Sequence, residues 1–183
     1  MRISDDRYSR DRLRLDLALR FIRHGARTQT IRAWTGLTDD RIRKLNRAYG
    51  VRNLPQTVRP RGRSPRQAMF FLRSPRLQEE AAVLASICAL LGVLPQQAPA
   101  SDAGSLPGIL RGELLCKAFE GYRQLVPEPH ISFEHAVCLV TALARGDEIA
   151  ARRCGDCGAL WVSERMSLFA DRCPRCSRDR DRG

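Results

Sequence analysis

Long hydrophobic runs, lysine and aromatic residues are all scarce in this chain of 183 residues. No apolar run approaches the roughly 20 residues that span a bilayer, and the N-terminus lacks the charged-then-apolar pattern of a secretory signal. We therefore expect a cytoplasmic protein with no membrane-spanning segment. Hydrophobic residues still make up 43% of the chain, which is enough for a packed core and argues against global disorder.

Recognisable catalytic patterns are missing as well. The sequence shows no general acid/base pair, phosphate-binding loop or catalytic triad, so we expect a protein that is not an enzyme. Three of the seven cysteines, Cys88, Cys116 and Cys138, stand singly among apolar residues and are predicted to act as small buried hydrophobes. His130 and His135 are predicted to be polar surface or core residues rather than ligands.

Positive charge is abundant and unevenly distributed. The chain has a net charge of +12 and a pI near 10.4. Residues 1–76 hold 20 basic and 6 acidic side chains, a net of +14, whereas residues 77–183 have a net of −2. A basic half joined to a nearly neutral half predicts a nucleic-acid surface at the N-terminal end.

The spacing of apolar residues near the N-terminus predicts three helices, with residues 1–10 frayed. The first spans Arg12–Arg23, the second Ala26–Trp34, and the third ends near Tyr49. Between the last two lies a tight turn containing Gly36, followed by Thr38 as the N-cap. Helix, glycine-containing turn and helix form the helix-turn-helix pattern, which we assign to about 26–49.

The third helix of this pattern is predicted to present basic side chains that can reach base edges and phosphates. An ordinary helical hairpin with a charged outer face remains the alternative. The candidate DNA-binding residues on this helix are Arg41, Arg43, Lys44 and Arg47.

A proline- and arginine-rich segment follows at 51–68. No carboxylate occurs between Asp40 and Glu79, and an extended basic arm can lie along a phosphate backbone or enter a minor groove. A disordered linker is the alternative. The candidate DNA-binding residues in this arm are Arg59, Arg61 and Arg63.

The rest of the chain predicts further helices and a small C-terminal module. A strongly apolar helix spans 77–91 and completes an N-terminal domain over 1–94, and a low-complexity linker follows at 95–108. Two helices, about 109–125 and 132–145, make up a region over 109–149 whose wide apolar faces serve either the internal core or a partner subunit. We therefore expect a mainly α fold, with a polar tail at 178–183.

The most specific chemical signal is a quartet of cysteines at 150–177. Two Cys-x2-Cys turns separated by fifteen residues can bring four thiolates to one point, as tetrahedral zinc requires, so we predict one structural zinc per chain. Iron with the same ligands is the alternative. The connecting segment has room for a short hairpin covered by Trp161 and Phe169. The predicted ligands are Cys154, Cys157, Cys173 and Cys176.

Several blocks, taken in order, resemble the FlhC family of bacterial flagellar transcription activators. The first is DLALRFIRHGARTQTIRAWTGLTDDRIRKLNR, which includes the short block GAR-x-Q, and the second is KAFEGYRQLVPEP. The last are CGDCGALWV and CPRCS, which carry the cysteine quartet. The resemblance covers roughly residues 16–177.

This resemblance implies a function that composition alone does not. FlhC-like proteins act with a small helical partner, FlhD, in a ring-shaped heterohexamer that binds double-stranded DNA upstream of promoters and recruits RNA polymerase. The resemblance also implies that the cysteine quartet binds zinc. FlhC-like subunits control transfer genes on conjugative elements too, so flagellar and conjugative genes are both candidate targets. A zinc-ribbon RNA-binding protein is the remaining alternative.

Overall fold

The computed structural model describes residues 2–49, 65, 67–94, 107–167 and 171–180, and these are mainly α-helical. One short 3₁₀-helix and one antiparallel pair of strands accompany the α-helices in these residues. The elements, in chain order, are α1 (Arg2–Arg23), α2 (Thr28–Thr35), α3 (Asp39–Tyr49), the 3₁₀-helix (Ala68–Leu72), α4 (Pro75–Leu90), α5 (Ile109–Leu125), α6 (Phe133–Arg145), β1 (Ile149–Arg153), β2 (Leu160–Glu164) and α7 (Pro174–Arg180). Among the described helices, none combines the length and apolar character that crossing a membrane requires.

Contacts divide the chain into two compact units. The first comprises Met1–Ser64 and Ser105–Cys116, and the second comprises Pro65–Gly104 and Lys117–Gly183. This grouping differs from the predicted N-terminal domain over 1–94, because α4 packs on β2, α6 and the 3₁₀-helix. Most of the predicted linker at 95–108 lies outside the described residues, as does part of the tail.

The first unit is built on an apolar core shared by α1, α2, α3 and the start of α5. The rings of Phe21 and Trp34 lie 5.9 Å apart. Gly112 allows α5 to approach closely, since a Cβ there would come within 2.7 Å of a Leu17 methyl group. The buried apolar side chains of this unit include Leu17, Ala18, Phe21, Ile22, Ile31, Trp34, Leu37, Ile42 and Leu115.

The three N-terminal helices agree with the predicted ones except at the start of the first. The backbone of α1 is helical from Arg2, so the first helix begins ten residues earlier than the predicted start at Arg12. No glycine or proline occurs before Gly25, so nothing in the sequence stops the helix from extending toward the N-terminus. Side chains four apart add to this, as in the exposed pair of Arg12 and Asp16 at 3.9 Å.

The second unit packs α4, the end of α5 and α6 around aromatic side chains. Two of these helices have serine N-caps: Ser74 accepts a hydrogen bond from the N–H of Leu77, and Ser132 accepts one from the N–H of His135. Much of the apolar surface predicted for a partner is thus used internally. The buried side chains of this unit include Phe71, Leu84, Cys88, Phe119, Tyr122, Phe133, Leu139, Val140, Ile149 and Val162.

The C-terminal hairpin lies in a different place from the one predicted. β1 and β2 pair antiparallel with Ile149 opposite Glu164 and Arg153 opposite Leu160. The strands therefore flank the first Cys-x2-Cys turn. The prediction that the hairpin lies between the two cysteine pairs was wrong. Since Gly158 has φ of +69°, this cysteine turn can reverse the chain and serve as the hairpin connection.

Candidate metal centre and helix-turn-helix surface

The hairpin and α7 position the four cysteines from opposite sides. Cys154 follows β1 directly, and its N–H donates to the carbonyl of Ala159 at 2.9 Å. Cys173 immediately precedes α7, and Cys176 lies within its first turn. The N–H of Gly155 donates to the carbonyl of Asp171 at 2.8 Å, which fixes the two cysteine turns against each other.

The sulfur atoms are arranged as a tetrahedral metal site requires. All four Sγ atoms lie within 4.8 Å of one another, and those of Cys157 and Cys173 are 3.8 Å apart. Four thiolates bound tetrahedrally at a Zn–S distance of about 2.3 Å would lie about 3.8 Å from each other. A disulfide would need sulfurs about 2.05 Å apart, and all of these cysteines are free. The predicted ligand quartet is thus brought together, and it could hold a metal ion.

Local donors already favour negative charge at one of these sulfurs. The backbone N–H groups of Cys157 and Cys173 lower the pKa of Cys154 to about 6, and the second of these donors lies 3.3 Å from the sulfur. The thiols of Cys157 and Cys173 raise the pKa of Cys176 above its ordinary value. A bound cation would reverse that second effect, because it favours all four thiolates together.

The shell of four cysteines leaves no position for water or substrate, so the site is suited to a structural role. Trp161 is buried with Cys154 and Cys173 in a small cluster against which Ala82 also packs. The predicted cover from Trp161 is confirmed, whereas Phe169 lies outside the described residues.

The turn between α2 and α3 has the features that the sequence predicts. Gly36 adopts φ of +68°, in the left-handed region where glycine is favoured. Thr38 accepts a hydrogen bond from the N–H of Arg41 at 3.4 Å, which makes it the N-cap of α3. Asp39 and Asp40 lie in the first turn, where the helix dipole favours negative charge. Helix α3 is anchored inward by Ile42, which is fully buried.

The four predicted cations of α3 all face away from that buried residue. At about 100° per residue, they cover an arc of roughly 160° centred opposite Ile42. Arg43 forms an exposed ion pair with Asp40 at 3.0 Å, a type of pair that contributes little to stability. Within the described residues Arg47 has no ion pair, so its guanidinium group is available to a ligand. The exposed cations are Arg41, Arg43, Lys44 and Arg47.

The basic arm cannot be placed in the same way. Arg59, Arg61 and Arg63 lie outside the described residues, so their predicted contacts with DNA stay a prediction.

A buried carboxylate cluster in the second unit was not predicted. Glu80, on α4, accepts hydrogen bonds from the Tyr122 hydroxyl, from the N–H of His130 at 2.9 Å and from Arg76 at 3.2 Å. Burial alone would raise the pKa of Glu80, but these bonds together with the His130 imidazole lower it to about 2. Arg76 also donates to the carbonyls of Pro127 and Glu128, so the cluster fixes the connection between α5 and α6.

The remaining predicted residues behave as small apolar or polar groups. Cys88 is fully buried, and burial raises the pKa of its thiol to about 12. Cys116 is buried too, and Cys138 is half-buried, with its pKa raised by burial. His135 stacks on Phe70 with ring centroids 4.3 Å apart.

Comparisons with known proteins do not assign this chain to a family. No protein-family model matches the chain, and a search of curated proteins finds no match.

Proposed function

We propose that this chain is a DNA-binding subunit of a bacterial transcription activator of the FlhC type. In this proposal it acts in the cytoplasm with an FlhD-like partner, binds promoter DNA and recruits RNA polymerase. Its targets are flagellar genes, with conjugative-transfer genes as the alternative. The quartet of cysteines holds one zinc ion, which stabilises the C-terminal module.

The exposed face of α3 supports this proposal most directly. A helix that follows a left-handed glycine turn at Gly36 is anchored by a buried Ile42 and presents four cations on its outer arc. This is the arrangement by which the second helix of a helix-turn-helix enters a major groove. The net charge of +14 over residues 1–76 would add a salt-dependent attraction to phosphates.

Exposed apolar side chains support the proposed contact with a partner subunit. Leucine side chains at the ends of described helices lie open to solvent, with Leu90 84% exposed and Leu125 68% exposed. Contact with another subunit would remove these apolar side chains from water, which is favourable.

Selection of duplexes from a random library by the purified protein, with and without the copurified partner, tests the proposal. We expect a specific two-fold-related duplex to be enriched, with affinity that falls steeply as salt rises. On that duplex Arg47→Ala should weaken binding by about 1–3 kcal/mol and should change binding to a scrambled duplex much less. Arg43→Ala should behave similarly, while Arg123→Ala, at an exposed position on α5, serves as the matched control.

Two results would overturn parts of the proposal. Preferential binding to single-stranded RNA would favour the zinc-ribbon RNA-binding alternative. If Arg43→Ala and Arg47→Ala reduce specific and scrambled binding equally, α3 contacts only phosphates and specificity lies elsewhere.

A further inference from the structure

The two edges of the β1–β2 hairpin face different surroundings. Hydrogen bonds from the N–H of Cys154 to Ala159 and from the N–H of Arg165 to Glu148 fix which residues pair across the ladder. Since inward and outward backbone groups alternate along an antiparallel strand, Ala150 and Arg152 bond to β2. The N–H and C=O groups of Ala151 and Arg153 therefore point to the opposite edge.

The outer edge of β2 has at least one hydrogen-bonded group. Helix α4 packs on β2, and the side-chain amide of Gln78 donates to the carbonyl of Val162 at 2.8 Å. In the described part of the chain the sheet has only these two strands. Helix α6 contacts β1, but among the described residues the outward main-chain groups of Ala151 and Arg153 have no hydrogen-bond partner.

A groove of about 1290 Å³ lies beside β1. Four consecutive residues of β1, Ala150 to Arg153, line it. Leu160 of β2, and Arg165 and Met166 just after it, line the groove as well, so both strands of the hairpin contribute to it. Ala89 near the end of α4, Leu94 in the turn that follows it and Leu143 near the end of α6 also line the groove.

The chemistry of the groove combines a small apolar wall with positive charge. Arg152, Arg153 and Arg165 line it, and no acidic side chain does. Their side chains donate only to backbone carbonyls, those of Arg165, Gly158 and Gly146 respectively. Within the described residues no carboxylate neutralises these three charges.

We propose that this groove binds an extended, acidic segment of a partner protein, which adds to β1 as a third strand. Unpaired N–H and C=O groups of an edge strand are satisfied by the main chain of an added strand, while pockets beside the edge select its alternate side chains. Carboxylates would pair with the arginines, and small apolar side chains would pack on Leu94 and Leu143. A DNA backbone fits less well, because phosphodiesters offer acceptors for the arginines but no donor for the open carbonyls.

A fluorescent synthetic peptide of alternating Glu and Val provides the probe, and the zinc-loaded full chain provides the protein. We expect saturable binding by anisotropy, and loss of binding when one central residue of the peptide is replaced by proline. Amide hydrogen exchange should slow by at least about tenfold at Ala151 and Arg153 when the peptide binds. The amides of Ala150 and Arg152, already bonded to β2, should change little.

Charge reversal gives an independent test. Arg153→Glu should weaken peptide binding by at least about fivefold, whereas Arg123→Glu, the same charge change at an exposed position on α5, should weaken it by less than about twofold. Zinc content confirms that each variant is folded in the C-terminal module.

The proposal is overturned if the peptide does not bind, or if it binds without slowing exchange at Ala151 and Arg153. It is also overturned if a short DNA duplex displaces the peptide and loses affinity itself on Arg153→Glu, since the groove would then be a nucleic-acid surface.

Discussion

The helix-turn-helix region and the cysteine hairpin are stabilised by different physical means. In the first, side chains such as Phe21, Trp34 and Ile42 are buried between helices, and the charged side chains remain outside. In the second, Ile149 and Val162 are also buried, and a small cluster beside the metal site consists of one tryptophan and two cysteines. Apolar burial can stabilise the first region without a ligand, whereas we propose that the second depends on a zinc ion held by its four cysteines. A substitution that destabilises one region should therefore leave the other region largely unchanged.

The largest effect is expected from loss of a metal ligand. Cys154→Ser leaves three thiolates, so the hairpin should lose most of the metal-binding free energy, which is about 10–16 kcal/mol in structural zinc peptides. Zinc content measured after purification without chelator should fall from one per chain to well below one. Fluorescence of Trp161, read in a Trp34→Phe background, should show an exposed indole.

Cys138→Ser is the matched control, because this half-buried cysteine lies outside the quartet. It should retain one zinc per chain. Full zinc content in Cys154→Ser would contradict the assignment of the site.

The second-largest effect is expected from a substitution in the core of the helix-turn-helix region. Ile42→Ala removes a fully buried side chain and should lower the free energy of unfolding by about 3 kcal/mol. Denaturant titration followed by Trp34 fluorescence, in a Trp161→Phe background, measures this directly.

The neighbouring Arg43→Ala, at an exposed position, should change that free energy by less than about 0.5 kcal/mol. The zinc content of Ile42→Ala should remain at one per chain. Loss of zinc in this variant would mean that the two regions do not depend on separate interactions.

These two regions also differ in how well the sequence predicts them. The clustering of the four cysteines and the Gly36 turn are local patterns, in which a few residues determine the geometry, and both predictions are confirmed. The strand β1 has the sequence IAARR, which lacks the alternation of β-branched and polar residues that marks a strand. Its conformation comes from pairing with β2 across the cysteine turn, which the sequence pattern does not reveal.

The Glu80 cluster was missed because its members are far apart in the sequence. One signal was present: Glu80 lies on the same helical stripe as Leu77, Ala81 and Leu84. A carboxylate on an otherwise apolar stripe indicates a buried, hydrogen-bonded charge. Its partners, Tyr122 and His130, lie 42 and 50 residues away, so no local pattern identifies them.

The smallest effect is expected from this cluster, and it depends on pH. Because the folded protein lowers the pKa of Glu80 to about 2 from 4.5, its ionised form stabilises the fold above pH about 4.5 and that stabilisation is lost as pH falls toward 2. Glu80→Gln should lower the free energy of unfolding by about 1–3 kcal/mol near neutral pH. The difference from the unsubstituted protein should shrink on acidification.

Urea denaturation at near-neutral pH and at about pH 3 measures this difference. Glu164→Gln, which alters an exposed carboxylate on β2, is the control and should show a small effect at both pH values. A difference for Glu80→Gln that does not change with pH would show that the ionised carboxylate is not the stabilising form.

The unequal exposure of the four cysteines would also determine how fast a metal ion held by them can be exchanged. Cys157 is exposed, whereas Cys154 and Cys173 are buried. Ligand substitution at a closed tetrahedral centre begins when one thiolate detaches or is attacked, and the accessible sulfur is the first that a chelator or an oxidant meets. Metal release should therefore begin at Cys157, with the rate set by this one sulfur even though the affinity is set by all four.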